Sequence, residues 1–245
     1  MAVTGAAAVT GVAAVTGAAA VTEAAAVTAA DSPAHSAAGR LLNFGLTQLV
    51  RRGLRGVWVR GELPASAAIW AANHHSWWDG FVAGAVLREQ QRPAALLMDA
   101  DNLGTFGLVR SAGVISAQRP RQALQALREG RVLVIFPEGE LYSPGPLRTV
   151  ARGAGWLGRH APAAVVPVAV RVASRGHQYP EAFVDIAPEA APADLPAALT
   201  SQLGRLDADL LNGDPRRPVP GFRCAVPGRP SWDERITRWA GLIQR

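Results

Sequence analysis

An α/β fold, with a mixed and largely parallel sheet flanked by helices, is the architecture this sequence predicts. Three observations carry it. Apolar runs of strand length recur between Val57 and Ile186. Segments with helical spacing separate those runs. Two of the runs, Ala67 to Ala72 and Val132 to Phe136, lead directly into polar motifs, as strands do when they deliver residues to a cleft at one edge of a sheet.

The elements follow in order. Residues 1–35 are mostly an Ala-Ala-Ala-Val-Thr-Gly-like repeat with one charge, Glu23, in the first thirty positions. They form neither a basic start nor a leucine-rich core, so they read as a low-complexity, disordered tail and not as a secretory signal. The main folded domain is expected over 36–212. Its first element is a helix over 36–56, with Leu41, Leu42, Phe44, Leu46, Leu49, Val50 and Leu54 as its apolar side and Arg40, Arg51, Arg52 and Arg55 as its charge. A basic amphipathic helix of this kind either lies in a membrane interface or packs on its own domain.

Val57–Arg60 and Ala67–Ala72 are expected strands. Trp78–Glu89 is an expected helix, with Asp79 in its first turn, and Ala94–Met98 a strand. Asn102–Arg110 reads as a short helix interrupted by glycine. Gly113–Ala117 is a strand, and Pro120 opens a helix that Gly130 closes. Val132–Phe136 is a buried strand and Val150–Arg159 a helix. Val165–Val172 and Phe183–Ile186 are further strands, and Leu195–Leu211 is a helix by the spacing of Leu199, Leu203, Leu206 and Leu210. The remaining 213–245 read as a Pro- and Arg-rich linker followed by an amphipathic helix. Ser231 and Glu234 make a capping-box signature for that helix, and Trp232, Ile236, Trp239 and Ile243 form one stripe. The stripe suits a bilayer or the domain surface, and packing on the domain is the expected arrangement.

Composition narrows the chemistry. All 25 basic residues are arginine, which excludes a lysine Schiff base and a P-loop lysine. The net charge of +6 favours anionic partners such as a membrane surface or a CoA-like substrate. Cys224 is the single cysteine, so no intramolecular disulfide forms. It lies among Pro and Gly with no histidine nearby, so it is a poor nucleophile. No run reaches the roughly 18–20 apolar residues of a spanning helix. Neither an aromatic RNA-binding signature nor zinc-finger spacing is present, so nucleic acid is not an expected partner.

Four motifs carry candidate chemistry. Asn73-His74-His75-Ser76-Trp77-Trp78-Asp79-Gly80 sets an imidazole near a carboxylate at a strand-to-helix turn; an aspartate that fixes one ring nitrogen leaves the other as a base. His75, beside it, reads as a packing or solvent-facing residue. Phe136-Pro137-Glu138-Gly139 places a carboxylate and a flexible glycine at the next such edge. Gly113 to Arg119 brings an arginine to a helix start, where it can meet an anion. Val166-Pro167-Val168 sets a proline inside a strand pattern, which restricts it to an edge, a strand start or a bulge.

In this order the four motifs resemble those of the glycerolipid acyltransferase family, typified by 1-acylglycerol-3-phosphate acyltransferases. The Asn-His-x-Ser-x-x-Asp pattern (an HX4D motif) falls at Asn73, His74, Ser76 and Asp79. The Gly-to-Arg spacing falls at Gly113 and Arg119, and Phe-Pro-Glu-Gly at 136–139. The resemblance spans about residues 40–190. It implies an acyltransferase-like α/β fold with His74 as general base toward a lipid hydroxyl and Asp79 orienting it. Asn73, Ser76, Gly113, Arg119, Glu138 and Gly139 would then line the acceptor site. Acyl-CoA or acyl carrier protein would be the co-substrate, with no cofactor and no metal. The acceptor would be a lysophospholipid at the inner face of the cell membrane, where the protein would sit peripherally in the cytoplasm.

One departure bears on the acceptor. The family's third motif continues Thr-Arg-Ser, whereas here Glu140, Leu141 and Tyr142 follow Gly139. The arginine that meets phosphate is missing, and Arg148 or Arg152 is a candidate replacement. A non-phosphate lipid alcohol or a glycolipid therefore stands as an alternative acceptor. From a different class, a metal-dependent hydrolase using His74, His75, Asp79 and Glu138 is the rival reading.

Overall fold

The computed structural model describes residues 37–100 and 113–243. The repeat-rich segment 1–35 and the expected helix at 102–110 lie outside the described residues. An eight-stranded sheet runs through the rest in the order β4-β3-β5-β2-β6-β7-β1-β8. The strands are β1 (Gly56–Arg60), β2 (Ala68–Ala72), β3 (Ala94–Met98), β4 (Val114–Ser116), β5 (Val132–Ile135), β6 (Ala164–Ala173), β7 (Glu181–Ile186) and β8 (Arg223–Pro227). From β4 to β6 neighbouring strands are parallel; β7 pairs antiparallel with β6, β1 parallel with β7, and β8 antiparallel with β1. The sheet is therefore mixed and largely parallel.

Six helices belong to the described residues: α1 (Ala37–Gly53), α2 (Asp79–Glu89), α3 (Pro120–Arg128), α4 (Gly153–His160), α5 (Leu195–Asn212) and α6 (Trp232–Ile243). The helices cover both faces of the sheet, which is why β2 is apolar at every position and buried throughout. Its period-two alternation splits the core. Ala68, Trp70 and Ala72 pack with Val50 of α1, Leu54 just after it, and Val82 and Val86 of α2. Ile69 and Ala71 pack with Ala123 and Leu127 of α3, Leu157 of α4 and Leu199 of α5.

Two parts of the C-terminal segment differ from the sequence expectation. The stretch read as a linker contains β8, which forms an edge of the sheet against β1. Edge strands tolerate charge and proline, and Arg223 and Pro227 gave this one the look of a loop. The stripe on α6 does not pack on the domain: Trp232, Ile236 and Trp239 are 55%, 58% and 54% exposed. The helix is held by its first turn instead. Glu234 accepts from the Ser231 N–H at 2.8 Å, completing half of the capping box, while the Ser231 hydroxyl accepts from the Gln178 N–H. Glu234 also takes a 2.6 Å bond from Arg55, which with the Ser231 bond holds its carboxyl below the usual range.

Pro167 lies in the central strand β6, contrary to the expectation of an edge. It sits just outside the β6–β7 ladder, whose terminal pair is Val168 with Ile186. Its missing N–H therefore leaves that ladder intact, and its carbonyl accepts from Ala187.

Where β2 ends, Asn73 ties it to β6. Its amide donates to the Val170 carbonyl at 2.9 Å and accepts from the Val170 N–H at 2.7 Å. The side chain is fully buried. This corrects the expectation that Asn73 touches substrate: both ends of its amide are engaged by backbone, and no solvent reaches it. Asn73→Ala should lower stability by roughly 2–4 kcal/mol, because two buried backbone groups lose their partner. A shift in the urea midpoint at unchanged m-value would report it; an unshifted midpoint would contradict the role.

Candidate active site

Strand register assembles the site. In the β2–β5 pair, partners are 64 positions apart, as in Ala71 with Ile135. His74 and Glu138 are also 64 apart, and the His74 N–H donates to Glu138 Oε2 at 2.9 Å. The ladder thus continues past both strand ends as a side-chain contact. In the β2–β6 pair the offset is 96, which is also the separation of His75 and Arg171.

The turn between β2 and α2 is organised by Asp79, which is 1% exposed. Its Oδ2 accepts from the His75 N–H and the Ser76 N–H, each at 2.8 Å, and faces His74 Nδ1 at 3.1 Å. A carboxylate in the first turn of a helix also meets the positive end of the helix dipole. With Nδ1–H directed at Asp79, His74 Nε2 carries the free lone pair of a base. The ring is stacked on Phe136, with centroids 4.3 Å apart and planes 18° apart. Its side chain is 24% exposed, so a substrate can reach it. Asp79 Oδ1 is buried with no hydrogen-bond partner among the described residues. Ser76 serves the turn, its hydroxyl accepting from the Trp78 N–H.

The second motif packs against the first. Gly139 has φ +81, a left-handed conformation that suits glycine, and its N–H closes a turn onto the Phe136 carbonyl. Tyr142 N–H then donates to the His74 carbonyl at 2.9 Å. The Glu138 side chain is wholly buried. Oε2 takes the His74 N–H, and Oε1 takes the Arg148 N–H at 2.8 Å and faces His75 Nε2 at 3.2 Å. Sequence reasoning placed Glu138 against substrate. The structure has it bracing the turn, with the His74 N–H on one oxygen and the Arg148 N–H and the His75 ring on the other.

Arg119 stands apart from this cluster. It is exposed after β4, and three strand spacings, about 14 Å, separate β4 from β2. Gly113, buried at φ +89, receives the Leu96 N–H on its carbonyl and so shapes the β3–β4 edge. Both lie at the sheet margin and not beside His74.

An apolar cavity of about 820 Å³ opens at His74. Trp77, Phe81, Leu96, Met98 and Leu157 line it, together with Gly139 and Glu140. The volume is in the range of small-molecule sites, and the lining suits a hydrocarbon chain.

Two participants escaped the sequence reading. His75, expected to pack or face solvent, is a buried link between Glu138 and Arg171. Arg171 is held in turn by Asp207 on α5. A lone arginine in the otherwise apolar β6 was the available signal. The same contacts weaken the metal-hydrolase reading. A guanidinium faces one nitrogen of His75, Glu138 faces the other, and backbone N–H groups occupy Glu138. Among the described residues, no three His, Cys, Asp or Glu side chains converge as a metal site requires.

Residues 56–171 match the family model described as Acyltransferase. Over 119 residues the chain is 35% identical to a Pseudomonas aeruginosa protein named lyso-ornithine lipid O-acyltransferase. That match covers 46% of this chain and 46% of the relative, so it spans about half of each. The fold is shared with a crystal structure of the 1-acyl-sn-glycerophosphate (LPA) acyltransferase PlsC from Thermotoga maritima. Its TM-score is 0.53 at 16% identity, over 71% of this chain and 81% of that one. The matched segment contains all four motifs and the His74–Asp79 pair, so residues 56–171 form an acyltransferase-family domain of the kind found in glycerolipid acyltransferases.

Proposed function

We propose that the protein is an O-acyltransferase that moves a fatty acyl group from acyl-CoA or acyl carrier protein to a lyso-lipid hydroxyl. The observation that carries this reading is His74, held by Asp79, on the lining of an apolar cavity. The cavity provides a place for the acyl chain, and His74 Nε2 faces the position where its thioester would lie.

In this mechanism the acceptor hydroxyl gives its proton to His74 Nε2 as its oxygen attacks the thioester carbonyl. Asp79 stabilises the imidazolium that forms. Collapse of the tetrahedral intermediate breaks the C–S bond, and His74 returns the proton to the departing thiolate. The products are an ester and a free thiol, without an acyl-enzyme.

Positions 140 and 141 bear on the acceptor. With Glu140 on the cavity lining and Leu141 where the family carries arginine, a lone phosphate meets an unfavourable charge. An acceptor head group with an ammonium as well as an anion suits it better. Glu140 would face the ammonium. Arg148, exposed and held over the Tyr142 ring at 5.6 Å, offers a cation for the anion. Ornithine carries both charges, and the relative named for a lyso-ornithine lipid supports this over lysophosphatidate. The exposed Leu41 and Phe44 of α1, Trp77, and the α6 stripe would hold the protein at a bilayer surface. No helix among the described residues is long and apolar enough to cross a membrane.

His74→Ala should lower kcat by about 10²–10⁴-fold, the contribution of a positioned general base; release of free CoA measures it, and an unimpaired variant would refute the assignment. In a panel of acceptors, a lyso-ornithine lipid should outperform lysophosphatidate, and the double change Glu140→Thr, Leu141→Arg should narrow the gap. Equal rates with both acceptors in the unaltered protein would count against the head-group reading. On anionic vesicles, replacing both Trp232 and Trp239 with serine should weaken co-sedimentation by about thirtyfold, since two large aromatics at about 1 kcal/mol each sum to about 2 kcal/mol; unchanged binding would remove α6 from the membrane contact.

A further inference from the structure

We infer that His75 is a positioning residue for the reaction. Its imidazole is held in one tautomer by Arg171 and transmits the placement of Arg171 and Asp207 to the backbone of His74. The sequence pattern assigns no role to this position, and the cavity does not expose it: the His75 side chain is 2% exposed.

The tautomer follows by elimination. Arg171 Nη1 lies within hydrogen-bond distance of His75 Nδ1. A guanidinium has donors and no acceptor, so Nδ1 must supply the lone pair. The ring proton then resides on Nε2, from which it donates to Glu138 Oε1 at 3.2 Å. A doubly protonated ring would set one N–H against another at Arg171. The guanidinium itself cannot rotate away. Its Nε and Nη2 grip the two oxygens of Asp207 at 2.6 and 2.8 Å, and Nη2 also donates to the Gly145 carbonyl at 2.6 Å. A bidentate pair of this kind fixes direction as well as distance.

The consequence reaches His74. Glu138, oriented by His75 on Oε1, receives the His74 N–H on Oε2. Asp79 grips the same turn from the other side, through the His75 and Ser76 N–H groups and His74 Nδ1. His74 is thus suspended between two buried carboxylates, and His75 decides where one of them stands. Removing its donor leaves Glu138 Oε1 with the Arg148 N–H alone, which weakens the hold on the carboxylate's orientation, and displacement of a base by about 1 Å can lower turnover by about 10²-fold. Arg171 sits at the β6 position that register sets beside His75, and Asp207 sits on the helix over that strand, so the relay runs across three elements.

The kinetic arm of the test rests on the acyl-transfer reading; the spectroscopic arm does not. Glutamine at 75 offers a donor to Glu138 and an acceptor to Arg171, whereas leucine offers only volume. His75→Leu should lower kcat by about 10²-fold with the KM for the acyl donor within twofold, and His75→Gln should recover to within a few-fold of the unaltered protein. A folded His75→Leu with kcat within twofold overturns the inference, as does a His75→Gln variant no better than leucine. Should the leucine variant not fold, Asp207→Asn decides: a several-fold fall in kcat at unchanged thermal midpoint supports the relay, and full activity overturns it. Independently of turnover, the imidazole nitrogens of His75 in a proton–nitrogen NMR spectrum should show Nε2–H with an unprotonated Nδ1. The opposite tautomer or a doubly protonated ring refutes the proposal even if no substrate is accepted, while the expected tautomer with no turnover would sink only the acyl-transfer reading.

Discussion

Register among β5, β2 and β6 is the constraint on which the site depends. Parallel strands have no short turn to set their alignment; it comes from the match of buried side chains across the sheet and on both faces. Here the alignment is carried by Trp70, Ile69, Leu133 and Val166, all sealed from solvent. A slip of one residue would invert the faces of β2 and drive Trp70 into the opposite layer. It would also separate His74 from Glu138 and His75 from Arg171, since both contacts repeat the offsets of the ladders beneath them. Core packing and site geometry are therefore one requirement.

The site concentrates buried charge without leaving it unsupported. Asp79 Oδ2 gathers two backbone N–H groups and one imidazole, Glu138 two N–H groups and another imidazole, and Arg171 faces Asp207. Such a network is stable only when nearly complete, because each missing partner exposes a buried charge to a low-dielectric surrounding. That demand explains why so many motif residues bind one another and not substrate. Asn73, Ser76 and Glu138 hold the turn on which His74 is presented. In the proposed reaction, the apolar cavity and the surface around Glu140 and Arg148 are then the parts left for the two substrates.

The position of α6 is set by electrostatics and not by its apolar stripe. Arg55 bridges Glu181 of β7 and Glu234 of α6 at 2.6 Å each, and Ser231 is fastened to Gln178. These polar ties anchor the first turn and leave the tryptophans outward. An amphipathic pattern shows that a helix has two faces; it does not say what the apolar face meets. For α6 the expected packing on the domain proved absent, and the same ambiguity in α1 resolved both ways, with Val50 and Leu54 buried and Leu41 and Phe44 exposed.

By itself the sequence determined the alternation of strands and helices and the closeness of His74 to Asp79. These are local matters, governed by periodicity, capping and spacing within one turn. It also disclosed the departure at Glu140 and Leu141. Only the tertiary structure decided that β8 is an edge strand, that Asn73 and Glu138 brace the site, that Arg119 lies at the sheet margin, and that His75 joins Glu138 to Arg171. Each depends on partners from 63 to 171 positions away, or on which neighbour a strand acquires, and the sequence pattern of a segment holds no record of that neighbour. Burial sealed the difference: a side chain named by a motif turns toward substrate only if no protein donor claims it first.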